Sequence, residues 1–231
     1  GSDVYLGARR LDHIQSLADE LSEEFNVDAK AYPIDLSDGI SVEKLCEMIT
    51  HEWKIDILLN NAGGPPPSPS TGVPDEIWES SLQSLLMSTI RLSEAAVKGM
   101  RERGWGRILT VASSGVIQPI PNLAVSNTVR SAVVGFTKTL SNEVAKDGIT
   151  VNMVLPGRID TERLASIHEA SANKQGMTYE EFRDNSRSSI PARRFGTAKE
   201  FAEVAVFLMS VCASYITGSV IRVDGGVIQS V

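Results

Sequence analysis

Short apolar segments alternate with amphipathic helical segments along most of the chain, and this alternation limits the possible folds more than any other feature. In the first cycle, Val4-Tyr5-Leu6 precedes a helical pattern of apolar residues from Leu11 to Phe25. Similar apolar segments recur at Ile57 to Leu59, Arg107 to Val111 and Thr150 to Leu155. Strands that are apolar on both faces and separated by helices predict a parallel sheet covered on both sides. The predicted fold class is therefore α/β, with a doubly wound, mostly parallel sheet.

The remaining segments continue the same order. They are a strand at Ala29 to Ile34, a helix at Val42 to Ile49, a long helix from Pro74 to about Arg103, a second long helix from Leu123 to Lys146, a helix through Met209 and a last strand at Ser219 to Val223. Thr197 and Glu200 have the spacing of a capping box at the start of the helix through Met209. The segment 162–189 has helical character and interrupts the alternation as an insertion. Nothing in the composition divides the chain, so the sequence predicts one domain over residues 1–231.

Composition and charge exclude several classes of protein. Hydrophobic residues make up 42% and charged residues 22% of the chain, as in globular proteins. The longest apolar segments are far shorter than the roughly 20 residues of a membrane span, so we expect no membrane partner. The net charge of −7 disfavours binding to a phosphate backbone, and we expect no nucleic-acid partner.

The cysteines and histidines give no pattern of metal ligands. Cys46 and Cys212 are predicted to be buried free thiols, which is typical of a reducing cytoplasm. His13, His51 and His168 are scattered, which favours surface or helix-packing roles over catalysis or metal binding. We therefore expect a cytoplasmic protein without a metal site.

Distinctive residues follow several of the predicted strands, at the edge of a parallel sheet where ligands usually bind. They are Asp35-Leu36, Asn60-Asn61-Ala62-Gly63, Ser113, Pro156-Gly157 and Asp224-Gly225-Gly226. In this order, the motifs resemble those of the short-chain dehydrogenase/reductase family, in particular its 3-oxoacyl-carrier-protein reductase-like branch. The resemblance spans essentially the entire chain. It implies a Rossmann-type fold that binds a dinucleotide.

The resemblance assigns the adenosine end of the dinucleotide to residues near the first two strands. Asp35 would bind the adenine through a hydrogen bond, with Leu36 beside it, and a helix cap is the alternative role of Asp35. Arg9 and Arg10 follow the strand that ends at the adenosine ribose, where arginine accommodates the 2′-phosphate of NADP. A solvated basic pair is the alternative. NADP is the expected cofactor, and NAD is the second choice.

Residues from later in the chain are assigned to the rest of the dinucleotide. The backbone of Asn61-Ala62-Gly63 would pass close to a ribose of the dinucleotide, and Arg130 would bind a ribose or stabilise an oxyanion. Pro156-Gly157, Ile159 and Thr161 would flank the nicotinamide. The turn Asp224 to Gly226 is interpreted as a stabilising element of the fold.

The catalytic residues of the family are only partly present. Its members use an Asn, a Ser, a Tyr that donates a proton and a Lys that lowers the pKa of that Tyr. In this chain Ser113 matches the Ser, whereas Leu85, Ser126 and Arg130 stand at the Asn, Tyr and Lys positions. A serine hydroxyl is far less acidic than a tyrosine, and arginine stays protonated. The predicted catalytic residues, Ser113, Ser126 and Arg130, therefore form an atypical site.

The family fold also begins one strand and one helix earlier, with a glycine-rich loop for the pyrophosphate. The family's strand order of 3-2-1-4-5-6 would place that strand between Val4–Leu6 and Ile57–Leu59. Without it, the sheet would have a gap in the middle. We therefore expect the natural polypeptide to carry an upstream segment that this sequence does not include.

The leading functional hypothesis is an NADP-dependent oxidoreductase that acts on a small-molecule carbonyl or alcohol, similar to a 3-oxoacyl reductase. The alternative is a noncatalytic dinucleotide-binding or subunit-partner protein on the same scaffold. In the family, the long helices that here begin near Pro74 and Leu123 form a subunit interface, which implies a homotetramer or homodimer. The insertion 162–189 is placed where family members carry a substrate lid, and a solvated helical face is the alternative.

Overall fold

A computed structural model describes residues 1–230, which form six strands and eight α-helices in the predicted alternating order. The strands are β1 Val4–Ala8, β2 Ala29–Pro33, β3 Ile57–Asn60, β4 Gly106–Val111, β5 Ile149–Pro156 and β6 Val220–Val223. The helices are α1 Leu11–Phe25, α2 Gly39–His51, α3 Asp75–Ser81, α4 Ser88–Arg103, α5 Ala124–Val144, α6 Glu162–Gln175, α7 Tyr179–Ser188 and α8 Ala198–Met209. The predicted α/β class is confirmed, and the predicted insertion consists of α6 and α7.

All the strand pairings are parallel, but they form two separate sheets. β1 pairs with β2, and β3, β4, β5 and β6 form a four-stranded sheet in that order. Within residues 1–230, no strand joins β1 to β3, and this break lies where the strand order predicted a gap. β3 is consequently an edge strand, and Ile57 and Leu59 are 38% and 44% exposed.

Helices cover both faces of the four-stranded sheet because successive side chains of a strand point to opposite faces. On β5, Met153 and Leu155 pack with Val133 of α5. Val154 lies on the other face in a cluster with Leu208 of α8. The sheet is therefore the central layer, and its carboxyl-terminal edge is left for loops.

The long helix predicted from Pro74 to Arg103 is confirmed in extent, but it is not uniform. Between α3 and α4, Leu82–Met87 form a π-helical turn. Hydroxyl groups flank this turn: Ser81 Oγ donates to the Ile77 carbonyl at 2.6 Å, and Ser88 Oγ donates to the Ser84 carbonyl at 2.6 Å. Such bonds from serine to the preceding turn compete with the helical backbone bonds and locally distort a helix.

The predicted capping box at the start of α8 is confirmed. Thr197 Oγ1 accepts from the Glu200 amide at 3.2 Å, and Glu200 Oε2 accepts from the Thr197 amide at 2.8 Å. Arg194 also donates to both carboxylate oxygens of Glu200, at 2.6 and 2.8 Å. The hydrogen bond from Arg194, followed by that from the Thr197 backbone, lowers the pKa of Glu200 to about 2.

This shift of the Glu200 pKa makes the stability of the chain depend on pH. The charged carboxylate stabilises the folded state at pH values above 4.5, its ordinary pKa, and that contribution is lost as the pH falls toward about 2. In Glu200→Gln, we expect the unfolding free energy to fall less steeply than in the wild type over this interval. Urea denaturation at a series of pH values measures this pH dependence of the unfolding free energy. Glu203→Gln on the same helix is the control, and equal slopes for wild type and Glu200→Gln would contradict the prediction.

The two cysteines and His168 are placed as follows. Cys46 is half-buried, but Cys212 is exposed, so the prediction of a buried thiol at position 212 was wrong. The reason is that Val211–Ala213 form a 3₁₀ turn at the surface rather than a helix in the core. His168 is buried against the rings of Phe182 and Phe195, which is a helix-packing role.

No helix in the described part of the chain combines the length and the apolar character that a membrane crossing requires. Within the same residues, no three His, Cys, Asp or Glu side chains are grouped as metal ligands would be.

Candidate active site

The candidate site lies at the carboxyl-terminal edge of the four-stranded sheet. Because β3 to β6 are parallel, the residues at their carboxyl ends, Asn60, Val111, Pro156 and Val223, share one edge. A small cleft opens there between the sheet and helices α4 and α5. It is lined by Asn60, Ala62, Leu85, Thr89, Thr110, Val111, Ala112, Arg130 and Val133.

Arg130 is the central charged group of this cleft. It projects from α5 and is only 9% exposed. Its Nη1 donates to the Val111 carbonyl at 3.1 Å, and its Nη2 donates to the Ala62 carbonyl at 3.2 Å. No carboxylate of residues 1–230 forms an ion pair with it. Burial, and to a smaller extent the charge of Arg163, lowers the pKa of Arg130.

Ser126 lies one helical turn before Arg130, so the two side chains share one face of α5. Ser126 is buried, and its hydroxyl makes no side-chain hydrogen bond to any of residues 1–230. Ser113, after β4, accepts from the Gly115 amide through Oγ at 3.2 Å. Gly115 packs against Asn127, the neighbour of Ser126, which brings the loop carrying Ser113 onto the start of α5.

Leu85 occupies the π-helical turn, where the family resemblance placed an asparagine. It is 3% exposed and packs with Val125 and Val129 of α5. Its carbonyl accepts from Thr89 Oγ1 at 2.8 Å. The side chain at this position is therefore apolar and enclosed, and it offers no hydrogen bond to a ligand.

The residues assigned to adenosine lie beside the other sheet. Arg9 is exposed directly after β1, and Leu36 packs against the main core cluster. Asp35 Oδ1 accepts from the Ser37 amide at 2.9 Å and from the Ser37 hydroxyl at 2.6 Å. The Ser37 side-chain bond lowers the pKa of Asp35 most, and the charge of Arg9 adds a smaller lowering. Asp35 is not the helix cap, because Asp38 caps α2 by accepting from the Ile40 amide.

The loop after β3 combines a fixed start with an open end. Asn60 is buried and donates through Nδ2 to Ser93 Oγ at 3.3 Å. Asn61 is exposed, and Ala62 packs among apolar residues while its carbonyl accepts from Arg130. No atom lies within 4 Å of the position that a Cβ on Gly63 would occupy. The backbone at Gly63 is therefore accessible to a ligand.

The loop after β5 is closely packed at its start. The Gly157 amide donates to the Val223 carbonyl at 2.9 Å, and a Cβ on Gly157 would lie 2.5 Å from the Asp224 Cα. Glycine is therefore required at this position. Ile159 forms an isolated parallel bridge with Gly196, and Thr161 caps α6 by accepting from the Leu164 amide at 3.4 Å.

The interpretation of Asp224 to Gly226 as a structural turn agrees with its geometry. Asp224 Oδ1 accepts from the Gly226 amide at 2.9 Å, and its Oδ2 accepts from the Ile228 amide at 3.1 Å. Gly225 and Gly226 both have positive φ angles, 64° and 85°, which glycine adopts at little cost. The turn also borders a second cleft, with a volume of about 110 Å³.

Helix α7 is held to the sheet edge by Arg158. Its Nη1 donates to the Ser186 carbonyl at 2.6 Å and also to the Ser189 hydroxyl. Arg183 of α7 donates to both carboxylate oxygens of Asp160, at 3.0 and 3.2 Å. Charged side chains therefore attach α7 to the loop after β5.

Replacing Arg158 with methionine removes two of these attachments. We expect the backbone amides of α7 to exchange with solvent at least about tenfold faster, since each lost charge-assisted bond weakens the local closed state by about 1.5–3 kcal/mol and about 1.4 kcal/mol corresponds to tenfold. Hydrogen-exchange mass spectrometry of peptides covering 179–188 measures this. Arg187→Met, which removes only the exposed pair with Asp184, is the control. Unchanged exchange in Arg158→Met would show that Arg158 does not hold α7 to the sheet edge.

One charged residue of this region was not predicted from the sequence. Arg163 lies in the first turn of α6, and its Nη2 is 3.8 Å from the position of a Cβ on Gly64. Nη2 of Arg130 lies at the same distance from that position. A signal was present in the sequence, because the first turn of a helix normally favours acidic over basic residues.

The chain matches known proteins over nearly its whole length. A family model described as enoyl-(acyl carrier protein) reductase matches residues 1–228. The 3-oxoacyl-[acyl-carrier-protein] reductase FabG of Haemophilus influenzae is 35% identical over 216 residues, which cover 92% of this chain and 84% of that protein.

Solved structures agree with these sequence matches. L-sorbose reductase from Gluconobacter frateurii, complexed with NADPH and L-sorbose, superposes with a TM-score of 0.93 at 31% identity over 100% of this chain and 89% of that chain. YwfH, an NADPH-dependent reductase involved in bacilysin biosynthesis, superposes with a TM-score of 0.91 at 28% identity over 98% of this chain and 89% of that chain.

Proposed function

Because the chain belongs to the short-chain dehydrogenase/reductase family, we propose that it is an NADP(H)-dependent oxidoreductase that interconverts a carbonyl and an alcohol at an atypical site. A related 3-oxoacyl-[acyl-carrier-protein] reductase and a structure complexed with NADPH support this reaction class. The observation that carries the proposal is the position of Arg130, a buried cation at the carboxyl ends of β3 and β4. A cation at this edge of the sheet is suited to bind a ribose or to stabilise a developing oxyanion.

The described residues fit a dinucleotide at both of its ends. Arg9 offers an exposed cation beside Asp35, which suits the 2′-phosphate of NADP. Near the cleft, the open backbone at Gly63 and the guanidinium of Arg130 suit the nicotinamide ribose. The residues that would hold the cofactor are Arg9, Asp35, Leu36, Asn61, Ala62, Gly63, Arg130, Pro156, Gly157, Ile159 and Thr161.

When bound, the nicotinamide supplies or accepts the hydride. In our proposal, Arg130 stabilises the negative charge on the carbonyl oxygen, and the hydroxyls of Ser113 and Ser126 donate hydrogen bonds to it. The proton that completes the alcohol comes from water, because a serine hydroxyl is a poor acid. The absence of an efficient general acid costs about 10²- to 10⁴-fold in rate, so the proposed turnover is slow relative to enzymes with a catalytic tyrosine.

A noncatalytic dinucleotide-binding protein is the second candidate, and the placement of Leu85 favours it. Leu85 is enclosed by Val125 and Val129, so its position contributes no polar group to hold water or substrate. Under this alternative, Arg130 serves only to bind the ribose and to join Ala62 to Val111. The two candidates share cofactor binding and differ in turnover.

Titration with NADPH and NADH, followed by absorbance measurements with a panel of ketones, oxo acids and acyl thioesters, tests the proposal. We expect tighter binding of NADPH than of NADH and slow NADPH oxidation with at least one substrate. Binding without turnover, with turnover gained in the triple variant Ser126→Tyr, Arg130→Lys and Leu85→Asn, would favour the noncatalytic alternative. Because Leu85→Asn buries an amide in an apolar cluster, folding of the triple variant is checked by circular dichroism.

We also propose that the protein is a homodimer or homotetramer, as its family resemblance implies. Several large apolar side chains of α8 and the segment after it are exposed, namely Val206, Phe207, Val211 and Tyr215. Leu82, in the helical region predicted to form a subunit interface, is also 41% exposed. Exposed apolar side chains support a contact surface between subunits where they form a contiguous patch. Analytical ultracentrifugation measures the oligomeric state.

A further inference from the structure

Two arginine side chains converge on the loop after β3. Arg130 comes from α5 and is buried, whereas Arg163 comes from the first turn of α6 and is exposed. Nη2 of each lies 3.8 Å from the point where a Cβ on Gly64 would stand. Both guanidinium groups therefore approach the same point of the backbone, and the missing side chain of Gly64 leaves that point open.

Neither arginine is neutralised within residues 1–230. The ion pairs of this part of the chain engage Arg101, Arg103, Arg183, Arg187 and Arg194, but not these two. Two cations that face one point repel each other, and burial reduces the screening of Arg130 by water. The repulsion would be relieved by an anion placed between them.

The available hydrogen-bond donors suit such an anion. Of its five N–H groups, Arg130 uses one on Nη1 for the Val111 carbonyl and one on Nη2 for the Ala62 carbonyl. Arg163 makes no side-chain hydrogen bond to residues 1–230. Donors therefore remain on both side chains, and guanidinium groups match the planar pair of oxygens of a carboxylate particularly well.

We propose that Arg130 and Arg163 together bind the carboxylate of the substrate, so that the substrate is an oxo acid, or the matching hydroxy acid, with its carbonyl close to its carboxylate. The inference rests on the proposed function, which places the reacting carbonyl beside Arg130. The proposed anion is a carboxylate rather than a cofactor phosphate because Arg130 is bound to the ends of β3 and β4, whereas the adenosine end of the cofactor is assigned to Arg9 and Asp35. In this arrangement Arg163 is a specificity-determining residue that selects acids over esters and amides.

The test compares an acid with its uncharged ester in the absence of dinucleotide. Binding of 2-oxohexanoate and of methyl 2-oxohexanoate to the full chain is measured by isothermal titration calorimetry. We expect the acid to bind more tightly than the ester. Arg163→Ala should lower the affinity for the acid by on the order of tenfold and leave the affinity for the ester unchanged. Arg163 is exposed, so its removal leaves the core intact.

Three comparisons make the result specific. Arg163→Lys keeps the charge and should recover part of the affinity for the acid. Lys174→Ala removes a positive charge from the far end of α6 and should change that affinity by less than about twofold, because salt screens a distant exposed charge. The NADPH affinity of Arg163→Ala should equal that of the wild type.

Two results would overturn the proposal. Equal affinity of wild type and Arg163→Ala for 2-oxohexanoate would show that Arg163 does not bind the acid. A loss of NADPH affinity without a loss of affinity for the acid would assign the anion to the phosphates of the dinucleotide. If the acid binds more tightly than the ester but NADPH is not oxidised, the proposed enzymatic function is contradicted. The carboxylate site formed by Arg130 and Arg163 would still be supported.

Discussion

Replacing Arg130 with methionine is expected to lower kcat/KM for NADPH-dependent carbonyl reduction by on the order of 100- to 1000-fold, as for the loss of an oxyanion-stabilising donor. The side chain is the only buried cation of the cleft among the described residues, and it is bound to the carbonyls of Ala62 and Val111. The substitution removes one hydrogen bond from each of these two carbonyls but also removes a desolvated charge. We therefore expect the unfolding free energy to change by no more than about 2 kcal/mol, so that activity falls far more than stability.

Initial rates of NADPH oxidation and urea denaturation measure the two effects separately. Arg130→Lys keeps a charge but loses the forked geometry, so its kcat/KM should lie between those of the wild type and Arg130→Met. Arg222→Met, which removes an exposed arginine bound to the Ser230 carbonyl, is the control for loss of a positive charge elsewhere. A kcat/KM of Arg130→Met close to that of the wild type would show that this cation does not act on the reacting oxygen.

Replacing Gly148 with alanine should produce the largest loss of stability. Gly148 has a φ of 74°, and a Cβ added there would overlap the carbonyl oxygen of Gly104. The left-handed backbone costs an L-residue about 1–2 kcal/mol, and forcing an atom into a packed contact costs about 1–3 kcal/mol more. We therefore expect the unfolding free energy to fall by about 2–5 kcal/mol.

Gly104 provides a matched control because it lies on the other side of the same contact. Its φ is 66°, but no atom lies within 4 Å of the position of its Cβ. Gly104→Ala should therefore show the cost of the backbone conformation alone, about 1–2 kcal/mol. Urea denaturation of both variants gives the difference due to the overlap. If both variants lose the same amount, the contact between Gly148 and Gly104 relaxes without cost.

The order of elements was predictable because it depends on local patterns. Each strand from β1 to β6 was recognised within one or two residues at its ends, since its apolar run is bounded by helical periodicity. Thr197 and Glu200 were found because a capping box joins residues only three positions apart. The parallel pairing followed from the alternation of elements rather than from any single contact.

Other features depend on contacts that no local pattern encodes. The π-helical turn at Leu82–Met87 has the same apolar spacing as an ordinary helix, and its serines gave no distinct signal. Cys212 has apolar neighbours in the sequence, yet it lies on a surface turn. The exposure of Cys212 depends on where α8 ends, which sequence periodicity does not specify.

The sequence predicted which residues occupy the site better than it predicted the hydrogen bonds that these residues form. Alignment through the family resemblance located Ser113, Ser126 and Arg130, but the bonds of Arg130 to Ala62 and Val111 follow only from the folded loops. Asp35 was expected to bind adenine or cap a helix, whereas one of its oxygens is engaged by Ser37. Arg163 was missed because it approaches Arg130 through tertiary structure. The assignment of these residues to cofactor or substrate stays a prediction.

The π-helical turn between α3 and α4 also sets the rotational phase of one helix relative to the other. Each residue advances an α-helix by about 100° around its axis. The π-helical turn contains one residue more than the corresponding α-helical turn, so it rotates α3 relative to α4. With that rotation in place, Ile77 and Trp78 of α3 pack toward the same α5 residues that enclose Leu85. Deleting a single residue from 82–87 would turn these side chains away while keeping the helix continuous. Insertions and deletions in this short segment therefore change which face of α3 meets the active-site helix.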